Sequence, residues 1–325
     1  MIPDTTLSQL GDDLDPTIRA FIRATDADYA RYRNGGQPSH VEARLVAEKV
    51  RAPWVQGGPI MHSTESHMAP SPHGKVRIRL YDPTPLSPKP ALIYIHGGGW
   101  VMFSLDTHDR IMREYAVRAG VCVIGIDYSL SPEARFPVAL EEIIAVVRHI
   151  RDHAAELGID PGQLAIGGDS AGANLSLATA ISLRDQGEGD VLKTLVLNYG
   201  AFGTDLAAED KARFGGEGYM LTTEEMGQFW AAYLGRPEDA GNPLAAPLQA
   251  DLHDLPPVFL CVPQCDVLSG QSRVLHERLK AAGNLAQAVI YAGASHSFLE
   301  AVSISPLANR AFDDGATWLR EKLST

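Results

Sequence analysis

Basic residues are the first thing this chain is short of. Of its 325 residues, 28 are lysine or arginine against 40 aspartate or glutamate, for a formal net charge of -12. So acidic a chain repels phosphate backbones and anionic lipid, and no basic run interrupts it, so no nucleic-acid partner is expected. Cysteine is equally scarce. Cys122, Cys261 and Cys265 cannot all pair, and two lie in apolar, strand-like segments, the pattern of buried thiols in a reducing compartment. Cys261 and Cys265 are four apart with no second pair to complete a zinc set, so no metal is expected. No apolar run reaches the ~20 residues of a membrane helix, so no membrane partner is expected either. The opening Met1-Ile2-Pro3-Asp4-Thr5-Thr6 lacks the basic stretch and apolar core of a secretory signal, and a cytoplasmic protein is the expectation.

What is present is apolar and periodic. Hydrophobic residues make up 45% of the chain, enough for one large α/β domain. Residues 14 to 33 carry Leu14, Ile18, Phe21, Ile22, Tyr29 and Tyr32 at helical spacing, with Asn34-Gly35-Gly36 as the stop. His40 to Val50 reads as a second helix. Arg51 to Gly74 is polar and reads as loop, with His62, His67 and His73 as solvated histidines. Val76 to Tyr81 alternates like a half-exposed strand, and Asp82 to Pro90 reads as a proline-rich turn. From the apolar run Ala91 to Ile95 onward, strands and helices alternate to the closing helix at Leu307 to Lys322, which implies a mostly parallel sheet with helices on both faces. The stretch 205 to 250 breaks the rhythm with polar residues, a helical patch at Thr223 to Leu234 and the proline-containing run Asn242 to Pro247. Together with about 1 to 50 it is expected to form a helical cap over the carboxyl ends of the strands, on a single domain spanning 1 to 325.

The chemistry centres on Gly168-Asp169-Ser170-Ala171-Gly172, between a strand ending at Ile166 and a helix running from Ala171 to Leu183. Gly-x-Ser-x-Gly at such a junction is the nucleophile-elbow pattern, in which a strained turn lifts the serine hydroxyl clear of the sheet. A serine needs a base, and the base needs a group to hold its tautomer. Asp266 follows the strand Pro257 to Val262, and His296 follows the strand Gln287 to Tyr291. Alone, Asp266 would serve equally as an N-cap for the helix at Ser269, and His296 as an exposed loop residue. In this order, at these strand ends, the two with Ser170 favour a catalytic triad. The run His96-Gly97-Gly98-Gly99 after a buried strand offers backbone amides for an oxyanion, and Gly98, Gly99 and Ala171 are the expected donors. A phosphate loop is the rival reading, but no Gly-Lys-Ser/Thr ending or Rossmann spacing accompanies the glycines. Asp169 is expected to support the loop amides, with His96 and Gly97 also in supporting roles, while Glu133 and Arg135 read as structural ion pairs.

Four segments carry a family resemblance: His96-Gly-Gly-Gly-Trp100, Leu105-Asp-Thr-His-Asp-Arg-Ile-Met112, Asp127-Tyr-Ser-Leu-Ser-Pro-Glu-Ala-Arg-Phe-Pro137 and Gly168-Asp-Ser-Ala-Gly-Ala-Asn174. With them the chain resembles bacterial esterases of the hormone-sensitive-lipase-like family, most of all acetyl esterases. The resemblance is dense from about Ala91 to Asn174 and patchier through Asn242 to Pro247, Asp266 and His296. It implies an α/β-hydrolase fold, hydrolysis of short-chain acyl esters through an acyl-enzyme, no cofactor, a small-molecule substrate and, in many members, a homodimer. Two departures stand out. Asp266-Val-Leu-Ser-Gly-Gln replaces the family's Asp-Pro-Leu with acidic residues after it, and Ser297 follows the histidine where Gly or Ala is usual. Trp100, Phe202 and Tyr219, with Phe214, Phe229 and Trp230, read equally as acyl-pocket lining or as core packing. The same machinery would also serve an amide, lactone or carbamate hydrolase, and a fold of this type without a working base would be a ligand receptor.

Overall fold

The computed structural model describes residues 13–32 and 38–323. Its strands are β1 (Ser63–Ser71), β2 (Gly74–Asp82), β3 (Lys89–Ile95), β4 (Cys122–Asp127), β5 (Ile159–Asp169), β6 (Thr194–Asn198), β7 (Val258–Cys265) and β8 (Ala286–Ser295). They form a sheet in the order β1-β2-β4-β3-β5-β6-β7-β8. From β4 to β8 every pairing is parallel, while β2 runs antiparallel to β4 and β1 antiparallel to β2. The helices are α1 (Pro16–Tyr32), α2 (His40–Arg51), α3 (Asp109–Ala119), α4 (Val138–Asp152), α5 (Ala171–Asp185), α6 (Ala208–Phe214), α7 (Thr223–Tyr233), α8 (Ser269–Ala281) and α9 (Pro306–Leu323).

The continuous apolar runs become strands covered on both faces because successive side chains point to opposite sides. Ile93, Ile124, Ile166, Leu195 and Leu260 face one core, shared with Ile143 and Val147 of α4 and Leu175 and Leu177 of α5. Their neighbours Tyr94, Val123, Ala165, Val196 and Phe259 face the other, shared with Ile18 and Phe21 of α1, Tyr115 of α3 and Phe312 of α9. Each buried Leu, Ile or Phe contributes roughly 1.5–3 kcal/mol relative to exposure, so the inner strands are the most strongly held part of the molecule. Helices cover both faces of a largely parallel sheet, as the alternation of elements predicts, and the architecture is the α/β-hydrolase fold that the family resemblance implies.

Three local expectations need correction. The polar stretch 51 to 74 is not all loop: Ser63–Ser71 is the edge strand β1, with its register on β2 unbroken from Ser63 opposite Asp82 to Ser71 opposite Gly74. Ala69 is the single buried residue of β1, so no hydrophobic alternation marks it, and Pro70 sits where an edge strand tolerates one. His67 therefore lies on a strand, and His73 in the following turn stands 2.6 Å from Glu141. The turn before β3 is shorter than expected, because Lys89 and Pro90 already belong to the strand. The insertion holds a helix beyond the one foreseen near Thr223, namely α6. The proposed stop Asn34-Gly35-Gly36 lies outside the described residues.

Candidate active site

The elbow forms because the small residues at its shoulders leave nowhere for a side chain. A Cβ on Gly168 or on Gly172 would run into the Ile95 carbonyl of β3, so α5 starts directly against the neighbouring strand. Ser170 is left at φ 53° and ψ −118°, a conformation that L-residues rarely adopt. Its N–H donates to the Asn198 carbonyl of β6 at 2.9 Å, which holds the turn in place. Positive φ also occurs at Trp100, Phe103, Tyr199 and Ser297, in the segments that follow β3, β6 and β8, and, among the described non-glycine residues, once elsewhere, at Asp254 before β7. Backbone strain gathered at one rim of the sheet is itself a mark of a working site.

At that rim the three expected side chains meet. Ser170 follows β5, Asp266 follows β7 and His296 follows β8. The Ser170 hydroxyl lies 2.9 Å from His296 Nε2, and His296 Nδ1 lies 2.8 Å from Asp266 Oδ2. Asp266 Oδ1 accepts from the Leu268 N–H at 2.9 Å, which turns the other oxygen toward the imidazole. The aspartate is thus bound to the turn before α8, and the helix cap itself falls to Leu268. An acceptor at Nδ1 fixes the tautomer that leaves Nε2 free to take the serine proton. Ser170 and His296 keep 7% and 6% exposure against 1% for Asp266, so the line of groups runs from the surface inward. Tyr199 sets its ring edge-on to His296 at 5.1 Å and limits its rotation.

Across from the elbow, the Gly98 carbonyl accepts from the N–H groups of Val101 and Met102 at 3.0 and 2.9 Å. This tight turn needs φ +109° at Gly98 and φ +59° at Gly99. A Cβ on Gly98 would strike the Met102 carbonyl, and one on Gly99 would enter the Phe229 ring of α7. Among the described residues, neither the Gly98 N–H nor the Gly99 N–H is taken by a backbone carbonyl. Ala171 opens α5, where an N–H has no partner within its own helix. The expected donors therefore stand uncommitted on both sides of Ser170.

Asp169 holds this loop from beneath. Its Oδ1 accepts from the Tyr94 hydroxyl at 2.9 Å and from the Gly97 N–H at 3.1 Å, while Oδ2 lies 3.2 Å from His108 Nε2. Burial would raise this carboxyl, but His108 beside it, with Tyr94 and His96, brings it below the usual range. Burial likewise opposes charge on His108, and Asp169 overcomes it and raises the imidazole. His96 takes the opposite course: burial and the neighbouring His108 push it down to about 4. It is therefore neutral, stacked on Tyr128 at 4.5 Å, with Nδ1 donating to the Gly97 carbonyl at 2.7 Å. The support assigned to His96, Gly97 and Asp169 has a geometric counterpart in these contacts. His108 went unassigned, although it sits in the segment 105–112 that carries the family resemblance.

The aromatic candidates divide. Trp100 stacks on Tyr233 at 4.3 Å and tilts against Trp230 at 4.5 Å, and Phe229 covers Gly99. Phe202 is buried over Gly200, with its N–H on Gln271 Oε1 at 2.7 Å. Tyr219 sits edge-on to Phe214 at 5.3 Å in the other core. Glu133 pairs as expected, with Arg44 at 2.6 Å, but among the described residues Arg135 has no carboxylate partner and donates to the carbonyls of Ala231 and Leu234 at 3.0 and 2.7 Å. A carbonyl cradle meets an arginine's needs as well as an acid does, and the sequence does not distinguish them. All three cysteines are free and buried; burial pushes Cys122 up to about 12 and Cys265 up to about 11, so neither thiol is a nucleophile in waiting.

Comparison with known proteins gives the chain its family. A family model described as the alpha/beta hydrolase fold matches residues 92–300. An acetyl esterase of Salmonella paratyphi A is 39% identical over 275 residues, covering 84% of each chain. Among solved structures, a hyperthermophilic esterase from the archaeon Pyrobaculum calidifontis superposes with a TM-score of 0.88 at 32% identity, over 95% of this chain and 98% of its own. A thermostable carboxylesterase cloned from a metagenomic library gives 0.86 at 34% identity, over 89% and 99%. The chain belongs to the alpha/beta hydrolase fold family, in its hormone-sensitive-lipase-like branch, and is a carboxylic ester hydrolase.

Proposed function

We propose that the chain hydrolyses short-chain acyl esters, acetyl esters first among them, with Ser170 as nucleophile, His296 as general base and acid, and Asp266 as the group that orients the histidine. The observation that carries this reading is the unbroken line from Asp266 through His296 to Ser170, at 2.8 and 2.9 Å. His296 Nε2 takes the serine proton as Oγ attacks the ester carbonyl. The N–H groups of Gly98, Gly99 and Ala171 receive the negative charge that develops on the carbonyl oxygen. His296 then gives its proton to the departing alcohol, and water repeats the steps on the acyl-enzyme in reverse. The acetyl preference follows the relatives, and the aromatic stack of Trp100, Tyr233 and Trp230 beside the glycine loop supports it by filling the space a long acyl chain would need.

In the same reading, α1, α2 and residues 205 to 250 form a helical cap on one hydrolase domain; residues 1–12 lie outside the described ones. The enzyme acts in the cytoplasm without cofactor or nucleic acid, and among the described residues no helix is long and apolar enough to cross a membrane. The homodimer is read from the family resemblance alone. Replacing Ser170 by alanine tests the core of the proposal: turnover of an aryl acetate should fall on the order of a millionfold, and labelling by a fluorophosphonate should vanish with it. Near-normal hydrolysis by the alanine variant would reject Ser170 as the nucleophile.

A further inference from the structure

One face of α2 carries Arg44, Glu48 and Arg51, at the i, i+4, i+7 spacing that places side chains in one row. Each reaches a loop of the candidate site. Arg44 Nε donates to the Val101 carbonyl at 2.7 Å, and its Nη2 donates to the Ser131 carbonyl at 2.7 Å, with Glu133 neutralising the guanidinium from outside. Glu48 Oε1 accepts from the Ser104 hydroxyl at 2.6 Å. Arg51, buried, lies over the Phe103 ring at 5.0 Å and pairs with Glu300, four residues beyond His296.

These contacts add to a loop otherwise held by the Ser131 N–H on the Trp100 carbonyl at 2.8 Å and by the packing of Trp100 on Tyr233. Residues 98–104 leave β3 and turn on the Gly98 carbonyl, with Trp100 and Phe103 both at positive φ. From inside, Asp169 grips Gly97 and His108. From outside, Arg44 takes the end of the Gly98–Met102 turn. Glu48 takes Ser104, whose carbonyl accepts from Thr107 Oγ1 at 3.0 Å, and Thr107 in turn contacts His108 Nδ1 at 2.9 Å. The loop that presents Gly98 and Gly99 is therefore clamped between a buried carboxylate and one helix. That helix also holds the histidine turn, because the Glu300 N–H donates to the Ser297 carbonyl at 3.0 Å.

We propose that Arg44, Glu48 and Arg51 are positioning residues, and that α2 sets the distance between the oxyanion donors and the catalytic base. The proposal rests on the reading of Ser170, His296 and the Gly98–Gly99 amides given above. A guanidinium on a loop carbonyl contributes little to substrate binding, so its loss should appear in turnover rather than in KM. Displacing reacting groups by about 1 Å costs on the order of a hundredfold.

The test uses the full chain and an aryl acetate. Arg44 and Glu48 are only partly buried, so their variants should fold even if an Arg51 variant does not. Arg44→Met and Glu48→Ala should each lower kcat roughly ten- to a hundredfold, with KM within about threefold and the thermal midpoint nearly unchanged. Glu48→Gln, which keeps an acceptor for Ser104, should recover most of the loss, and Arg44→Lys part of it. Folded variants with wild-type kcat, or a lowered midpoint with kcat intact, would overturn the proposal and leave α2 as a packing element. Ser170→Ala is measured alongside: turnover surviving in that variant defeats the triad reading itself, whereas a dead Ser170→Ala beside a fully active Arg44→Met defeats only the positioning role.

Discussion

At the scale of single residues, the site depends on backbone positions that only certain side chains tolerate. Gly98 combines φ +109° with a Cβ direction blocked by the Met102 carbonyl. Gly98→Ala should shift the turn and its amide, lowering kcat for an aryl acetate roughly a hundred- to a thousandfold, the usual cost of one oxyanion donor; a steady-state assay on folded protein decides it. The buried Asp169–His108 pair makes a second prediction. Asp169 is held below its ordinary range, so its contribution is present above that range and is lost as the pH falls through the depressed value. His108 is raised, so its contribution is complete below about 6.5 and is lost as the pH rises through the raised value. Between those limits, His108→Gln, which leaves the carboxylate without a charged partner, should cost about 3–5 kcal/mol. The deficit relative to wild type should shrink as the pH climbs past the histidine range, which urea unfolding at a series of pH values would follow. A deficit that stays constant with pH would mean that His108 carries no charge in the fold.

At the scale of elements, what the sequence discloses is what a short window contains. The elbow is legible because strand, glycines, serine and helix lie within about a dozen residues, and every one of them answers a local steric demand. β1 is not, because an edge strand buries Ala69 alone and so leaves no period to read. The row on α2 is not either: Arg44, Glu48 and Arg51 look like an ordinary solvated helix face, and their partners Val101, Ser104 and Glu300 are between 56 and 249 positions away. Glycines inside helices show how context decides. Gly172 of α5 meets the Ile95 backbone, and Gly172→Ala should destabilise the fold by about 1–3 kcal/mol through overpacking. Gly227 of α7 meets nothing within 4 Å. Gly227→Ala should therefore stabilise by roughly 0.5–1 kcal/mol, since the helix gains the better helix former. Thermal or urea unfolding should move in opposite directions for the two variants; equal shifts would mean that α5 does not seat directly on β3.

At the scale of the whole molecule, the sheet order brings the ends of β5, β7 and β8 to one rim, where α2 and α7 contact the loop after β3. Chain order and a position just beyond a strand end together bring Ser170, Asp266 and His296 to one place, because parallel strands joined by helices must all end on the same side. Substrate size was not legible in the same way, since it depends on packing between α7 and the glycine loop. Trp100, Tyr233 and Trp230 are buried against one another, and Phe229 lies on Gly99, so the wall beside the proposed oxyanion donors is closely packed aromatic rings. In the proposed reading, an acyl chain whose carbonyl is held at Gly98 and Gly99 has that wall beside it. Hydrolysis along a series of aryl esters from acetyl to dodecanoyl should therefore be fastest between acetyl and butanoyl and fall steadily after that. Phe229 is only partly buried, so Phe229→Ala should fold and should move the maximum toward longer chains by opening the wall above Gly99. A wild-type maximum at the long end would mean that the chain leaves the site by another path and that the aromatic stack is core rather than pocket.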